Sequence, residues 1–231
     1  RIALEVEPYT CTSLARVAAL IRAVRYLVRY RIPGALVECG VWRGGSMMAV
    51  ALTLIDENAT DRDLYLFDTF EGMTPATEKD LRADGVPAQR LLATTPKLEN
   101  EFNVWCFASE AEVRQNLART GYPPERIHLV KGRVEETLPY RPGLEIALLR
   151  LDTDWYDSTM HELTHLYPRL STGGVLIVDD YGDWQGARDA TDEYLRNHPE
   201  FPILLFPIDR TGRIAIKVQA DFAKTRSGGI V

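Results

Sequence analysis

Five short apolar runs punctuate the chain, at 35–39, 64–67, 127–130, 146–151 and 175–178. Runs of this length between turn residues read as buried strands. Stretches with helical spacing fall between most of them, at 45–56, 110–119 and 158–170. Strands alternating with helices predict a parallel sheet covered on both faces.

Before the first strand, Thr12 or Ser13 caps a predicted helix that runs to about Arg31, with Leu14, Val17, Ala18, Ile21, Val24 and Leu27 on its apolar side. Pro33-Gly34 stops it. Arg16, Arg22, Arg25 and Arg29 mark the face expected to meet solvent. After a further helix at 185–196, runs at 203–206 and 213–217 flank Pro207 to Gly212 and predict a closing hairpin. The architecture expected is α/β: a seven-stranded, mostly parallel sheet with one antiparallel strand, between helical layers. Residues 1–219 read as a single domain. The segment 70–107 breaks the rhythm, being long, polar and without periodicity. Such a stretch is a substrate lid or a mobile insertion. Residues 220–231 read as a frayed tail, and Arg1 as a start inside a longer product.

Composition narrows the function. The net charge of −6 disfavours a nucleic-acid partner. No apolar run reaches a membrane span, and the first residues carry no signal-peptide pattern. Cys11, Cys39 and Cys106 are an odd set without C-x-x-C spacing, which argues against a disulfide scaffold or a zinc site and fits a reducing cytoplasm.

The first strand ends in Val37-Glu38-Cys39-Gly40-Val41-Trp42-Arg43-Gly44-Gly45-Ser46. Glycines there let a ligand approach backbone at a helix N-terminus. The spacing is not G-x-G-x-x-G, which weakens a nicotinamide-enzyme reading. Glu38 beside the turn suits a cationic cofactor and would repel a diphosphate. Asp68 at the end of the second strand can accept from ribose hydroxyls. Gly132 and Val134, after the third, offer an adenine wall.

Chemistry concentrates in Asp152-Thr153-Asp154 and Asp179-Asp180, at the ends of consecutive predicted strands. Alternation puts Asp152 and Asp154 on one side if the strand is still extended. Four carboxylates at one sheet edge repel unless compensated, and a hard cation such as Mg²⁺ or Ca²⁺ resolves the conflict. His161 and His165 share only the spacing of a metal pair and are read as packing or surface residues. A non-catalytic nucleotide-binding module is the alternative from a different class.

The stretches VECGVWRGGS (37–46), LYLFDTFEGM (64–73), HLVKGRVEETLP (128–139), LRLDTDWYDST (149–159) and GGVLIVDDYGDW (173–184) together resemble the macrocin O-methyltransferase (TylF-like) family. The resemblance implies a class I methyltransferase fold, a Rossmann-like three-layer sandwich. It implies S-adenosylmethionine and Mg²⁺ as cofactors, antibiotic biosynthesis as context, and a deoxysugar hydroxyl of a glycosylated natural product as acceptor, with a catechol-like diol as the alternative. Asp152, Asp179 and Asp180 would be the metal ligands and Asp154 the general base. Glu38, Gly40, Ser46, Asp68, Ser109, Gly132, Val134 and Asp152 would line the cofactor site. Trp155 departs from the Leu often found beside the base. A homo-oligomer is expected, without membrane or nucleic acid.

Overall fold

The computed structural model describes residues 1–219, so the tail expected at 220–231 lies outside the described residues. Seven strands form one sheet in the order β3-β2-β1-β4-β5-β7-β6. They are β1 (Ala35–Cys39), β2 (Leu64–Asp68), β3 (Ile127–Lys131), β4 (Ile146–Leu151), β5 (Leu170–Val178), β6 (Phe206–Pro207) and β7 (Arg213–Ile216). The first five run parallel, and β7 is antiparallel to both neighbours.

Helices cover both faces. On one side α1 (Ile2–Val6), α2 (Leu14–Arg29), α3 (Gly45–Asp56) and α5 (Glu110–Ala118) enclose an apolar core that includes Leu20, Leu27, Met47, Leu54, Leu64 and Leu117. On the other, α6 (Val134–Thr137), α7 (Tyr156–Leu166) and α8 (Gln185–Asn197) pack over Phe67, Leu149, Leu163, Tyr167 and Tyr194. The remaining helix, α4 (Ala88–Thr94), lies inside the 70–107 segment.

The predicted elements recur with few changes. Ser13 is the cap of α2, its hydroxyl accepting from the Arg16 amide at 3.2 Å. The helix expected at 158–170 starts and ends earlier, because Pro168 cannot continue it and a 3-10 turn (Tyr167–Arg169) follows. β5 begins at Leu170, where the chain pairs with Ile146, rather than at Val175. The strand expected at 203–206 shrinks to Phe206–Pro207. Prolines at 202 and 207 withhold ladder donors, and Ile203 and Leu205 pack on the core without pairing.

Topology fixes where a ligand can sit. β1 is flanked by β2 on one side and β4 on the other, so the strand order reverses there. Open α/β sheets bind ligands at such a switch point, outside the carboxyl ends of the strands. Register then places the chemistry. Leu151 pairs with Cys39 on β1 and with Val178 on β5, so the residues just beyond, Gly40, Asp152 and Asp179, emerge side by side. The Asp152 amide donates to Cys39 O at 2.8 Å and the Asp179 amide to Leu151 O at 2.9 Å, extending the ladder by one residue.

Candidate active site

A cavity of about 500 Å³ opens over these strand ends. Its walls hold the expected residues Gly40, Ser46, Asp68, Gly132, Val134, Asp152, Asp154, Asp179 and Asp180. Its size falls within the usual range for small-molecule sites.

Gly40 is the point of closest approach. It has φ of +80°, and a Cβ there would stand 1.9 Å from the Asp152 carbonyl oxygen. Only glycine lets the β1 turn pass the β4 turn. Asp68 locks the same turn from β2: one carboxylate oxygen accepts from the Val41 amide at 2.6 Å, the other from the Phe70 amide at 2.7 Å. Burial raises the Asp68 carboxyl, and these amides oppose the rise.

Two residues expected on the cofactor stand behind the wall instead. Glu38 is fully buried and does not line the cavity; its Oε1 accepts from Arg150 Nη1 at 2.7 Å. Burial pushes the Glu38 carboxyl up to about 8, against the pull of Arg150. Ser109 is the N-cap of α5, its hydroxyl accepting from the Glu112 amide at 3.4 Å.

The acids meet, but not as alternation predicts. β4 ends at Leu151, and Asp154 has φ of 66°, so Asp152-Thr153-Asp154 is a turn rather than extended strand. The turn brings carboxylate oxygens of Asp152, Asp154 and Asp180 within 4.8 Å of one another. Asp179 stands apart from that trio. It is bound by two guanidinium groups: Arg16 Nη1 donates to its Oδ2, and Arg150 Nη2 lies 2.8 Å from its Oδ1. Arg16 is therefore no part of the solvated helix face expected for it, its side chain being 13% exposed. It bridges Asp179 to Asp209, 3.1 Å away.

Arg150 was legible only as an odd cation in an apolar strand. It is fully buried, and besides Glu38 it donates to Asp152 Oδ2 at 2.6 Å and to Thr12 at 2.8 Å. Five carboxylates (Glu38, Asp152, Asp154, Asp179 and Asp180) thus face two guanidinium groups, and both serve the Asp179 side. Asp154 and Asp180 have no basic partner among the described residues. Burial raises both carboxyls, with the charges of Asp152 and Asp179 adding to the rise of Asp154, to about 7, and those of Asp154 and Asp152 adding to the rise of Asp180. Asp180 Oδ2 is buried without a hydrogen-bond partner. An oxygen-only donor set with an orphaned buried oxygen and surplus negative charge fits a hard divalent cation.

The 70–107 segment forms the outer wall. Met73, Thr74, Leu91, Phe102, Val104 and Cys106 face the cavity. The segment packs on its own apolar cluster around Trp155, whose indole donates to Thr74 O at 3.1 Å. Trp184 stacks edge-on against Trp155, with centroids 4.9 Å apart, and also lines the cavity. His161 and His165 lie side by side on α7 and do not line the cavity. No helix among the described residues is long and apolar enough to cross a membrane.

Comparison with known proteins shows the family. The profile of the Macrocin-O-methyltransferase (TylF) family matches residues 6–215. Demethyldecarbamoylnovobiocin O-methyltransferase from Streptomyces niveus is 34% identical over 206 residues, covering 88% of this chain and 74% of that protein. The 8-demethyl-8-(2,3-dimethoxy-alpha-L-rhamnosyl)-tetracenomycin-C 4'-O-methyltransferase from Streptomyces olivaceus is 35% identical, covering 80% of this chain and 67% of that protein. The solved structure of the O-methyltransferase NovP superposes with a TM-score of 0.78 at 32% identity, covering 91% of this chain and 83% of that one.

Proposed function

From the premise that this chain belongs to the macrocin O-methyltransferase family and is an O-methyltransferase, we propose that it uses S-adenosylmethionine and Mg²⁺ to methylate a sugar hydroxyl on a glycosylated natural product. One observation carries the reading: the carboxylates of Asp152, Asp154 and Asp180 converge in the same cavity that the Gly40 turn lines.

The donor side is built by backbone. The Gly40 turn, fixed by Asp68, and the N-terminus of α3 at Ser46 would receive the amino-acid end of the cofactor. Gly132 and Val134 would wall its adenine. Glu38 and Ser109 act from behind, Glu38 by orienting Arg150 and Ser109 by capping α5.

On the acceptor side, Asp152 and Asp180 would hold the cation, joined by Asp179 when Arg16 releases it. Asp154, close to both, would then accept the proton of the acceptor hydroxyl, with a carboxyl near 7 suited to that work at neutral pH. When bound, S-adenosylmethionine supplies an electrophilic methyl group and Mg²⁺ a Lewis acid that acidifies the hydroxyl. Met73, Leu91, Val104 and Trp184 form an apolar wall for the acceptor and keep water from it.

The test is direct. Purified protein is incubated with S-adenosylmethionine, Mg²⁺ and a panel of rhamnosylated aglycones, and products are read by mass spectrometry. Methylated glycoside and S-adenosylhomocysteine should form together and vanish in EDTA. Methylation of simple catechols but of no glycoside would move the acceptor assignment to aromatic diols.

A further inference from the structure

The two helices that follow the acidic turns lack caps of their own. α7 begins just after Asp152-Thr153-Asp154, and α8 shortly after Asp179-Asp180. Their N-cap residues are Trp155 and Trp184, and neither side chain accepts a hydrogen bond from its helix. An indole carries a donor and no acceptor, so it leaves the free amides of a first turn unsatisfied. Both tryptophans serve the wall instead. Trp155 is buried in the apolar cluster under the 70–107 segment, and Trp184 lines the cavity.

Asp80, from the 70–107 segment, supplies an acceptor across space. It is fully buried and does not line the cavity. Its Oδ1 accepts from the amide of Tyr156, the first residue of α7, at 2.8 Å. Its Oδ2 accepts from the Thr77 amide at 2.6 Å and from the Thr77 hydroxyl at 2.9 Å, closing a turn in its own segment. Gly186, the second residue of α8, leaves the gap that makes this possible. A Cβ there would stand 2.2 Å from Asp80 Oδ1 and 2.7 Å from the Tyr156 nitrogen. Next to the gap, backbone bonds join the same segment to the start of α8. The Ala83 amide donates to Asp183 O at 2.7 Å, and the Gln185 amide to Leu81 O at 2.8 Å.

The acids lie one short step away. Tyr156 is two residues beyond Asp154, and the Trp184 amide donates to Asp180 O at 2.9 Å. We infer that Asp80 is a positioning residue: by capping α7 through the gap at Gly186, it sets the wall formed by Met73, Thr74 and Trp184 in register with the turn that carries Asp154. An acceptor resting on that wall then meets Asp154 in one geometry. A shift of about 1 Å between reacting groups can cost on the order of 10²-fold in rate.

The tie stands on these hydrogen bonds, while its effect on turnover rests on the proposed reaction. The test compares the intact protein with Asp80→Ala, Asp80→Asn and Gly186→Ala. Hydrogen exchange read by mass spectrometry should quicken in Asp80→Ala over the peptide spanning 152–159. Isothermal titration with S-adenosylmethionine counts competent sites, and kcat for glycoside methylation is expressed per site, which removes any loss due to unfolded protein. On that basis kcat should fall at least roughly tenfold in Asp80→Ala and in Gly186→Ala, with cofactor affinity unchanged. Asp80→Asn keeps an acceptor for Tyr156 but loses the one for the Thr77 amide, and should fall less. Should Asp80→Ala yield no folded protein, the same comparisons are read on Asp80→Asn. Unchanged exchange would overturn the inference, and so would faster exchange with kcat per site unchanged. A proportionate loss of cofactor affinity would overturn it too, being the mark of general disruption. Faster exchange in Asp80→Ala, together with a wild-type protein that methylates no glycoside, would support the tie and count against the assigned reaction instead.

Discussion

Glu38 and Arg150 stand opposite each other on β1 and β4 and form a fully buried ion pair, with 2.7 Å between Oε1 and Nη1. The same guanidinium reaches Asp152 and Asp179. It therefore joins the strand that carries the Gly40 turn to both strands that carry the acids.

Removing that cation should unsettle the whole centre. Arg150→Met leaves three buried or half-buried carboxylates without their shared partner, and breaking a buried pair this way costs about 3–5 kcal/mol. Urea unfolding should show that loss. Adding Glu38→Gln to Arg150→Met should recover part of it, with a coupling of about 1 kcal/mol or more in the double-mutant cycle. Strictly additive losses would mean that the pair is not energetically joined.

Divalent cation should stabilise the protein before any substrate is present. Occupying a site at a hundred times its dissociation constant adds about 2.7 kcal/mol. Mg²⁺ should raise the unfolding temperature relative to EDTA, and Asp180→Asn should erase the rise. Asp179→Asn should weaken it more than Asp154→Asn does. The reverse order would assign the metal to the Asp152, Asp154 and Asp180 trio that lies closest together.

Asp154→Asn keeps the shape of the turn and removes the proposed base. Turnover should fall by about 10²–10⁴, with affinity for S-adenosylmethionine unchanged in isothermal titration. A loss confined to cofactor affinity would place Asp154 on the donor side instead.

Acid should loosen the start of α2 through Asp209. Burial works to raise this carboxyl, but the Ser13 hydroxyl, the Gly212 and Thr211 amides and Arg16 together hold it down at about 2. A depressed carboxyl stabilises the fold above its unfolded value near 3.8, and that share is lost as pH falls toward 2. After allowance for solvent screening, the share is at most about 1 kcal/mol. Asp209→Asn should therefore lose stability near pH 6 and flatten the acid limb between pH 4 and 2. An unchanged acid limb would show that Asp209 is not held down as described.

Most of the sheet was readable because burial on both faces writes strands as continuous apolar runs. β1 and β4 match their expected bounds for that reason. The hairpin strand at Phe206–Pro207 was less so, since an apolar run between prolines can pack without pairing. At the site, adjacency of the two acid pairs followed from strand order. Which acids share space did not, because it depends on the left-handed turn at Asp154, a conformation no residue type there announces. Arg16 misled for a similar reason: helical spacing says which residues share a face, not that an aspartate from β5 waits opposite.

Gly40 packs so tightly on the Asp152 carbonyl that the donor and acceptor halves of the cavity share one rigid seam. Such a seam cannot be retuned for one substrate without disturbing the other. Diversification toward new acceptors is therefore channelled into the 70–107 segment and the Asp183-Trp184 turn, which shape the cavity from outside the sheet. An engineer seeking a different acceptor should randomise Met73, Leu91, Val104 and Trp184 and leave the strand ends untouched.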